Sequence, residues 1–216
     1  MPESDAYNMT SEWMTLRESD MTAVIDQVKA AGETGAVPDT WHCDGNAADR
    51  ILSLLNAIDY NKIGLMGHSL GGATAVTVGR RDDISAVIDL DGTMLGEETG
   101  VKDGVIQANE LPYDKPLLCI DSESHHQSLA ETKEAGYVYV NNVILDNAVN
   151  GYETYFKGAA HMNFTDLPLF SPPLAKLLGT GEVDAGECID QVNALVLGFF
   201  DSFLKDTGAF SVKESY

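Results

Sequence analysis

The chain has 216 residues, of which 44% are hydrophobic and 22% charged, so it is long enough for one globular domain with a substantial core. With 34 acidic and 13 basic residues the formal net charge is −21, which argues against nucleic-acid binding and against electrostatic attachment to anionic lipid. The three cysteines are widely spaced and form no CxxC pair, so neither a disulfide framework nor a zinc site is predicted.

No membrane span and no leader peptide are predicted. The sequence has no run of 18 apolar residues, and its first residues, MPESDAYNMTSEW, are acidic and polar, unlike a secretory signal. As written, the chain is therefore expected in the cytoplasm. A secreted protein is the expectation if the natural N-terminus is truncated.

The N-terminal half is predicted to place helices around one strand. Residues 1–12 show no periodicity and are predicted to be irregular. Apolar positions at helical spacing predict helices over residues 16–31 and 47–59. The continuous apolar run KIGLMG, residues 62–67, is typical of a strand buried on both faces, and the small residues of 70–80 predict a helix that packs closely on it.

The C-terminal half alternates in the same way. Strands are predicted over residues 85–92, 115–124 and 152–158, the last of them near a sheet edge. Residues 127–135 and 189–204 are predicted helices, the second long and amphipathic. Residues 138–149 are ambiguous and fit a short helix.

Strands that alternate with helices are typical of an α/β fold with an open, mostly parallel sheet and helices on both faces. We predict one such domain over residues 1–216. In sheets of this kind, functional residues gather in the loops at the carboxyl ends of the strands. A functional site is therefore expected where the predicted strands end.

The pentapeptide GHSLG, residues 67–71, lies directly between a predicted strand and a predicted helix. In that context it predicts a nucleophile elbow, a tight turn that holds Ser69 in strained backbone angles. Gly67 and Gly71 are expected to give the strand and helix clearance, which Gly72 and Ala73 extend. The backbone N–H of Leu70 is a candidate oxyanion-hole donor. A glycine-rich phosphate loop is the alternative, but the Walker lysine and the GxGxxG spacing are missing.

A serine nucleophile needs a base, and three histidines follow Ser69 in the chain. His161 comes just after the last predicted strand, where a loop could bring its ring over the serine. His125 and His126 follow the third strand and fit a polar loop or a helix start, so they are weaker candidates. His68 lies inside the turn and is expected to point away from the site.

The base needs a carboxylate, and the expected chain order is serine, acid, histidine. Asp89 and Asp91 end the second predicted strand, and Asp121 and Glu123 end the third. Asp89 is predicted to lie within its strand as a structural residue, whereas Asp91 lies where the chain turns out. The most familiar version of this chemistry takes its acid after the third of these strands, which favours Asp121. Chain order alone leaves Asp91 and Asp121 both open.

Four segments carry a family resemblance. They are the elbow GHSLGGATAV, the strand end DLDGTMLGEE, the histidine loop FKGAAHMNFTDLP and the tail LAKLLGTGEVDAGECIDQVNALVLGFFDSFL. Together they resemble the platelet-activating factor acetylhydrolases of the plasma type (isoform II) and their bacterial relatives, in the α/β-hydrolase superfamily. The histidine loop and the tail are far more specific than the elbow alone.

The resemblance implies a catalytic triad in which Ser69 is the nucleophile and His161 the base. It also implies that Asp91, rather than Asp121, is the acid, and that the N–H of Leu70 binds the oxyanion. The implied reaction is hydrolysis of a carboxylic ester through an acyl-enzyme. The implied substrates are short-chain acyl esters, or phospholipids with a short acyl chain at the sn-2 position, as in lipid degradation. The family needs no metal or other cofactor.

The N-terminal part departs from the family. Members of the family place about four strands, and a loop with a second oxyanion donor, before the elbow strand. Here 61 residues precede Lys62, and they are predicted to form helices and loops. The domain is therefore expected to be N-terminally incomplete relative to the family, with an exposed edge on the elbow strand through which copies of the chain could pair.

Two other functions fit the same residues. A cutinase-like or polyester-hydrolase-like esterase would share the fold and the serine nucleophile. An α/β-hydrolase-fold binding protein with impaired catalysis would keep the triad but lack a complete oxyanion hole. Covalent labelling of the serine distinguishes the binding protein from an active hydrolase.

Overall fold

The structure, a computed structural model, describes residues 3–216. In this range, four parallel strands form the central sheet. The strands are β1 (Ile63–His68), β2 (Ile84–Leu90), β3 (Glu98–Lys102), β4 (Val105–Ala108), β5 (Tyr113–Ser122) and β6 (Ala148–Phe156). The order in the central sheet is β1-β2-β5-β6, and β3 pairs with β4 in a separate antiparallel hairpin.

Helices flank both faces of this sheet. Over the same range they are α1 (Glu3–Thr34), α2 (Ala47–Leu55), α3 (Leu70–Val78), α4 (Glu123–Glu134), α5 (Val140–Asp146), α6 (Leu167–Phe170), α7 (Pro172–Leu177) and α8 (Ala185–Lys205). Across residues 3–216, none of these helices is long and apolar enough to cross a membrane. The predicted α/β fold with a mostly parallel sheet is confirmed.

The core has two layers because successive strand residues point to opposite faces. Val87 and Leu117 face the side that α1, α3 and α5 cover. Ile88 and Leu118 face the side of α8, where Phe199 is fully buried. Burial on both faces explains why these strands are continuous apolar runs in the sequence.

Parallel pairing brings the carboxyl ends of three strands to one edge of the sheet. His68 pairs with Leu90, and Leu90 pairs with Ile120. One residue further along, the Ser69 N–H donates to the Leu90 carbonyl and the Asp91 N–H donates to the Ile120 carbonyl, both over 2.9 Å. The residues that follow β1 and β2 are therefore held at the same level of the sheet.

The first helix begins earlier than predicted. The irregular segment expected over residues 1–12 is helical from Glu3 onward, while residues 1–2 lie outside the described range. Glu3 and Asp5 occupy the first turn, where carboxylates interact favourably with the helix dipole. Only Met14, Ile25 and Ala31 are buried along α1, so its start carries little hydrophobic periodicity to detect.

The predictions also omit the β3–β4 hairpin. Its turn is Asp103-Gly104, with φ values of 54° and 79°, and Asp-Gly is a strong signal for a tight hairpin turn. The buried carboxylate of Glu97, just before β3, shares the Nε–H of Arg80 between its two oxygens, each 2.9 Å away. Asn109 adds a third hydrogen bond of 2.9 Å, so this carboxylate fastens the hairpin to the end of α3.

The elbow strand is an edge strand. Within residues 3–216, β1 pairs with β2 alone, and Met66 on β1 is 44% exposed. An exposed edge is thus present where the sequence predicts one. The pairing of chain copies through this edge stays a prediction.

Candidate active site

Ser69 lies in a sharp turn between β1 and α3. Its φ of 57° and ψ of −127° fall outside the regions that L-residues normally occupy. Such strain persists only where the surroundings hold it. Here the Ser69 N–H donates to the Leu90 carbonyl, and the Ser69 carbonyl accepts the N–H groups of Gly72 and Ala73 over 2.9 Å and 3.1 Å. The local geometry is that of a nucleophile elbow.

Two glycines make this turn possible, but they are not the pair that the pentapeptide suggests. A Cβ atom on Gly67 would collide with the backbone of Gly71, and a Cβ atom on Gly72 would collide with the Asp89 carboxylate. A Cβ atom on Gly71 would meet no described atom within 4 Å. The expectation that Gly71 provides the clearance is therefore wrong, because the close approach falls one residue later, at Gly72.

Leu70 is the first residue of α3, so its backbone N–H has no acceptor within the helix. It lines the same pocket as Ser69. N–H groups in the first turn of a helix carry partial positive charge, which suits an oxygen that becomes negative during a reaction. The backbone N–H of Leu70 therefore stays the candidate oxyanion donor that the sequence predicts.

Asp91 and His161 are hydrogen-bonded to each other. The Nδ1 atom of His161, in the loop after β6, lies 2.7 Å from Oδ2 of Asp91, directly after β2. The second oxygen of Asp91, Oδ1, accepts the backbone N–H of Ser122 over 2.5 Å. Asp91 has a φ of 54°, a left-handed conformation that aspartate tolerates better than most residues.

The environment of Asp91 keeps its carboxylate ionised. Burial by itself would raise the pKa, since only 2% of the side chain is exposed. The contact with His125, together with the hydrogen bonds from the Ser122 N–H and from His161, outweighs burial and lowers the pKa to about 2. An ionised Asp91 can stabilise a positive charge on His161, whose side chain is 44% exposed and open to a ligand.

Ser69, Asp91 and His161 line one pocket of about 500 Å³. The other residues that line it are Trp13, Leu70, Thr93, Leu95, Ser122, Ser124, His125 and Ser128. The volume is in the range of small-molecule sites, roughly 300–1,000 Å³. In the described residues, no hydrogen bond within 3.5 Å joins the Ser69 hydroxyl to His161, and such bonds often tighten only when a ligand binds.

The alternative acid, Asp121, contacts a different histidine. Its Oδ1 atom lies 3.0 Å from Nδ1 of His125, which also lies 3.4 Å from Oδ1 of Asp91. Asp89 lies inside β2, as predicted, and is 1% exposed. Burial, followed by the charge of Asp121, raises the pKa of Asp89 well above its ordinary value. Of these three aspartates, Asp91 is the one hydrogen-bonded to His161.

The expectation that His68 points away from the site is wrong. Its Nε2 atom lies 3.0 Å from the backbone oxygen of His161, and the two rings are 4.4 Å apart. Because a carbonyl oxygen only accepts, Nε2 of His68 carries the proton. The physical reason is strand alternation: a Gly67 side chain would face α3, so the neighbouring His68 faces the opposite side, where the His161 loop lies. Burial, followed by the charge of His161, lowers the pKa of His68.

A buried asparagine holds the loop that carries Asp91. The side chain of Asn141, in α5, donates to the carbonyl of Gly92 over 2.8 Å and accepts the N–H of Met94 over 2.9 Å. Asn141 belongs to the segment 138–149, whose sequence is ambiguous. No local pattern marks this residue, because its role depends on a contact with a distant loop.

A second buried asparagine holds the loop of His161. The Oδ1 atom of Asn163 accepts the N–H of Ala160 over 2.9 Å and the N–H of Gly181 over 2.7 Å. Asn163 is 2% exposed. It fixes the 160–163 turn against the segment before α8, and with it the backbone of His161.

Three of the residues near the pocket could hold a cation. Asp91, Asp121 and His125 each offer one ligand atom, and these atoms lie within 4.8 Å of one another. Carboxylate oxygen and imidazole nitrogen are ordinary zinc ligands.

Comparison with known proteins identifies a family and individual relatives that match most of this chain. The family model described as platelet-activating factor acetylhydrolase, isoform II, matches residues 11–212. The chain is 29% identical over 157 residues to the platelet-activating factor acetylhydrolase of Gallus gallus, covering 70% of this chain and 33% of that protein. It is 28% identical over 162 residues to that of Cavia porcellus, covering 71% and 33%.

The chain therefore spans about a third of the length of the curated relatives it matches. Among solved structures, it is similar to the Pyrococcus horikoshii acylaminoacyl peptidase (orthorhombic crystal form). That similarity has 17% sequence identity and a TM-score of 0.37, and covers 78% of this chain and 28% of the peptidase.

Proposed function

Because the chain belongs to the family of platelet-activating factor acetylhydrolases, isoform II, we propose that it is a serine carboxylic-ester hydrolase that works through an acyl-enzyme. The observation that carries the proposal is the shared pocket: the strained turn at Ser69 opens into the same cavity as His161, which is hydrogen-bonded to Asp91 over 2.7 Å. A nucleophile, a base and an orienting carboxylate are the groups that acyl transfer needs.

In the proposed first step, Ser69 Oγ bonds to the ester carbonyl carbon while His161 Nε2 takes the hydroxyl proton. The carbonyl oxygen becomes an oxyanion near the N–H of Leu70, and Asp91 stabilises the positive charge on His161. The tetrahedral intermediate then breaks its bond to the alcohol oxygen. His161 returns the proton to that oxygen, so the alcohol leaves and Ser69 stays acylated.

In the second step, water attacks the acyl-enzyme and gives a proton to His161. Collapse of the new intermediate releases the carboxylic acid and restores the Ser69 hydroxyl with that proton. In each half-reaction His161 takes up one proton and returns it, so the protons balance. Leu70 is the oxyanion donor that we assign; a second donor is not assigned.

The proposed substrates are short-chain acyl esters, including phospholipids with a short acyl chain at the sn-2 position. The pocket volume of about 500 Å³ is sufficient for a short acyl group. Its walls mix the apolar side chains of Trp13 and Leu95 with the hydroxyls of Ser124 and Ser128, which suits an ester with a polar alcohol part.

The test is covalent labelling. The chain is incubated with a fluorophosphonate probe and analysed by intact mass, and p-nitrophenyl acetate is followed for a burst of p-nitrophenol. We expect one label per chain and a burst of one equivalent in the wild type, and neither in Ser69→Ala. Ser85→Ala is the matched control, because Ser85 lies near the start of β2, away from the end of that strand that leads to Asp91. This variant should keep both the label and the burst.

A folded wild type with neither label nor burst would contradict the proposal and favour a binding protein with impaired catalysis. Labelling that persists in Ser69→Ala would place the reactive group elsewhere. Hydrolysis of insoluble polyester in preference to soluble short-chain esters would favour a cutinase-like enzyme instead.

A further inference from the structure

His125 lies between two buried carboxylates beside the pocket. Its Nδ1 atom is 3.0 Å from Oδ1 of Asp121 and 3.4 Å from Oδ1 of Asp91, and only 13% of its side chain is exposed. On its other side, Nε2 lies 3.4 Å from the hydroxyl of Tyr139, which lies 3.0 Å from the hydroxyl of Thr93. Its backbone N–H donates to Ser122, the N-cap of α4. Both ring nitrogens therefore have polar neighbours, and the backbone of His125 is held by Ser122.

A positive charge on this ring would stabilise its two neighbouring carboxylates. Asp91 and Asp121 are 6% and 2% exposed, and burying carboxylates is costly unless positive charge or hydrogen bonds compensate. Burial would lower the pKa of His125, but the nearby carboxylates of Asp121 and Asp91 outweigh burial and raise the pKa to about 11. His125 is thus positively charged at neutral pH, between Asp121 and Asp91.

The geometry points to a positioning role: we propose that the imidazolium of His125, anchored on Asp121, fixes the Asp91 carboxylate so that its Oδ2 atom faces His161. This inference rests on the proposed hydrolytic function. Each carboxylate oxygen of Asp91 then has its own set of contacts. Oδ1 receives the Ser122 N–H and faces His125, and Oδ2 receives His161.

The contacts to Oδ1 matter because the carboxylate of an aspartate rotates easily about its last side-chain bond. A carboxylate rotates about its last bond with a broad energy profile, so two or more contacts are needed to hold one orientation. Removing the His125 contact leaves Ser122 as the partner of Oδ1. The carboxylate then tilts relative to His161, and the imidazole is less well oriented toward Ser69.

The positive charge of His125 has a second effect, with a predictable sign. A cation beside the Asp91–His161 pair opposes the uptake of a further proton by that pair. The other groups that face His125 are Asp89, Asp121 and the hydroxyl of Tyr139, none of which is positive. His125→Gln removes this positive charge, so the acidic limb of kcat/KM should move to higher pH.

The experiment compares His125→Gln, Asp121→Asn and the double variant. In His125→Gln we expect kcat to fall about tenfold or more with little change in KM, since misplacement of a reacting group costs up to ~100-fold. We expect Asp121→Asn to act through His125. Its kcat should fall less than that of His125→Gln, and its acidic limb of kcat/KM should not move to higher pH. The double variant should be no worse than His125→Gln, because the two residues act in series.

A second readout does not need turnover. The proton between His161 and Asp91 is followed as a low-field proton NMR signal, assigned by its loss in His161→Gln. We expect it to shift or broaden in His125→Gln and, to a smaller degree, in Asp121→Asn. If His125→Gln fails to fold, Asp121→Asn still tests the inference, because it keeps the ring and removes its anchor.

The outcomes separate the two proposals. If the wild type has no esterase activity but the signal shifts in His125→Gln, the positioning role stands and the proposed function fails. If the wild type hydrolyses esters and His125→Gln matches it in kcat, acidic limb and proton signal, the inference is overturned. A larger loss in Asp121→Asn than in His125→Gln would also overturn it, since Asp121 would then act directly.

Discussion

Nδ1 of His161 lies 2.7 Å from Oδ2 of Asp91, although the two residues are 70 positions apart in the chain. The contact depends on the sheet order, which places the end of β2 between the ends of β1 and β5. It also depends on the left-handed backbone of Asp91, with a φ of 54°, directly after the strand. Asp121 lies near the end of the neighbouring strand β5, and its Oδ1 atom is 3.0 Å from Nδ1 of His125 instead.

The two aspartates should therefore differ in their effect on turnover. Asp91→Asn removes the negative charge that stabilises the His161 imidazolium, and kcat for p-nitrophenyl acetate should fall roughly 10³- to 10⁴-fold. Asp121→Asn, the matched control one strand away, should lower kcat less than about tenfold, because it acts through His125. Steady-state kinetics on folded variants measures both. The reverse ranking would show that Asp121 is the orienting acid.

The glycines around Ser69 provide a second comparison. Gly67→Ala should disrupt the elbow and abolish labelling of Ser69, because its Cβ would collide with the backbone of Gly71. Gly71→Ala meets open space in the first turn of α3, so it should fold, keep the label and gain up to about 1 kcal/mol of stability. Fluorophosphonate labelling and urea unfolding measure the two effects. Loss of labelling in Gly71→Ala would contradict the space that the structure shows.

Much of the fold could be predicted because each central strand is a short apolar run that is buried on both faces. The runs at residues 62–67, 85–92 and 115–124 match β1, β2 and β5, and the last strand is at the sheet edge, as expected. The hairpin at residues 98–108 carries an Asp-Gly turn signal, but its strands have little apolar alternation.

The sequence predicts those site residues that belong to a recognisable local motif. Ser69 stands in a recognisable pentapeptide, whereas the choice between Asp91 and Asp121 needed the family resemblance, since both follow strands that end at the same edge. The roles of His125, Asn141 and Asn163 depend on contacts between distant loops, which no spacing in the sequence reveals. Trp13 lines the pocket from a helix whose first turns have no clear pattern.

The ion pair between Arg80 and Glu97 should matter for stability. Arg80→Leu leaves the Glu97 carboxylate, which is 1% exposed, buried without its cation, and such losses cost about 3–5 kcal/mol. Lys62→Leu removes the surface pair with Asp206, whose side chain is 80% exposed, and should change stability by less than about 1 kcal/mol. Chemical unfolding, followed by circular dichroism, measures the free energy of unfolding of both variants. Equal effects would show that the hairpin is not held by this pair.

Stability should also depend on pH through His125. Its pKa is about 11 in the folded chain and near its ordinary value in the unfolded chain, so the folded state binds the proton more tightly. The sign follows from linkage: the stabilisation is complete below the unfolded pKa of about 6.5 and is lost as the pH rises toward 11. Between those limits the unfolding free energy should fall by up to about 1.4 kcal/mol per pH unit.

The matched comparison is His125→Gln, which has no proton to lose in this range. Urea unfolding of both proteins at pH 7, 8, 9 and 10 should show a steeper decline for the wild type. The difference between them reports the proton of His125 together with its coupling to Asp91 and Asp121, the two carboxylates that flank it. Parallel curves would mean that His125 is not held as a cation between Asp91 and Asp121, and the charge argument for its positioning role would fail with them.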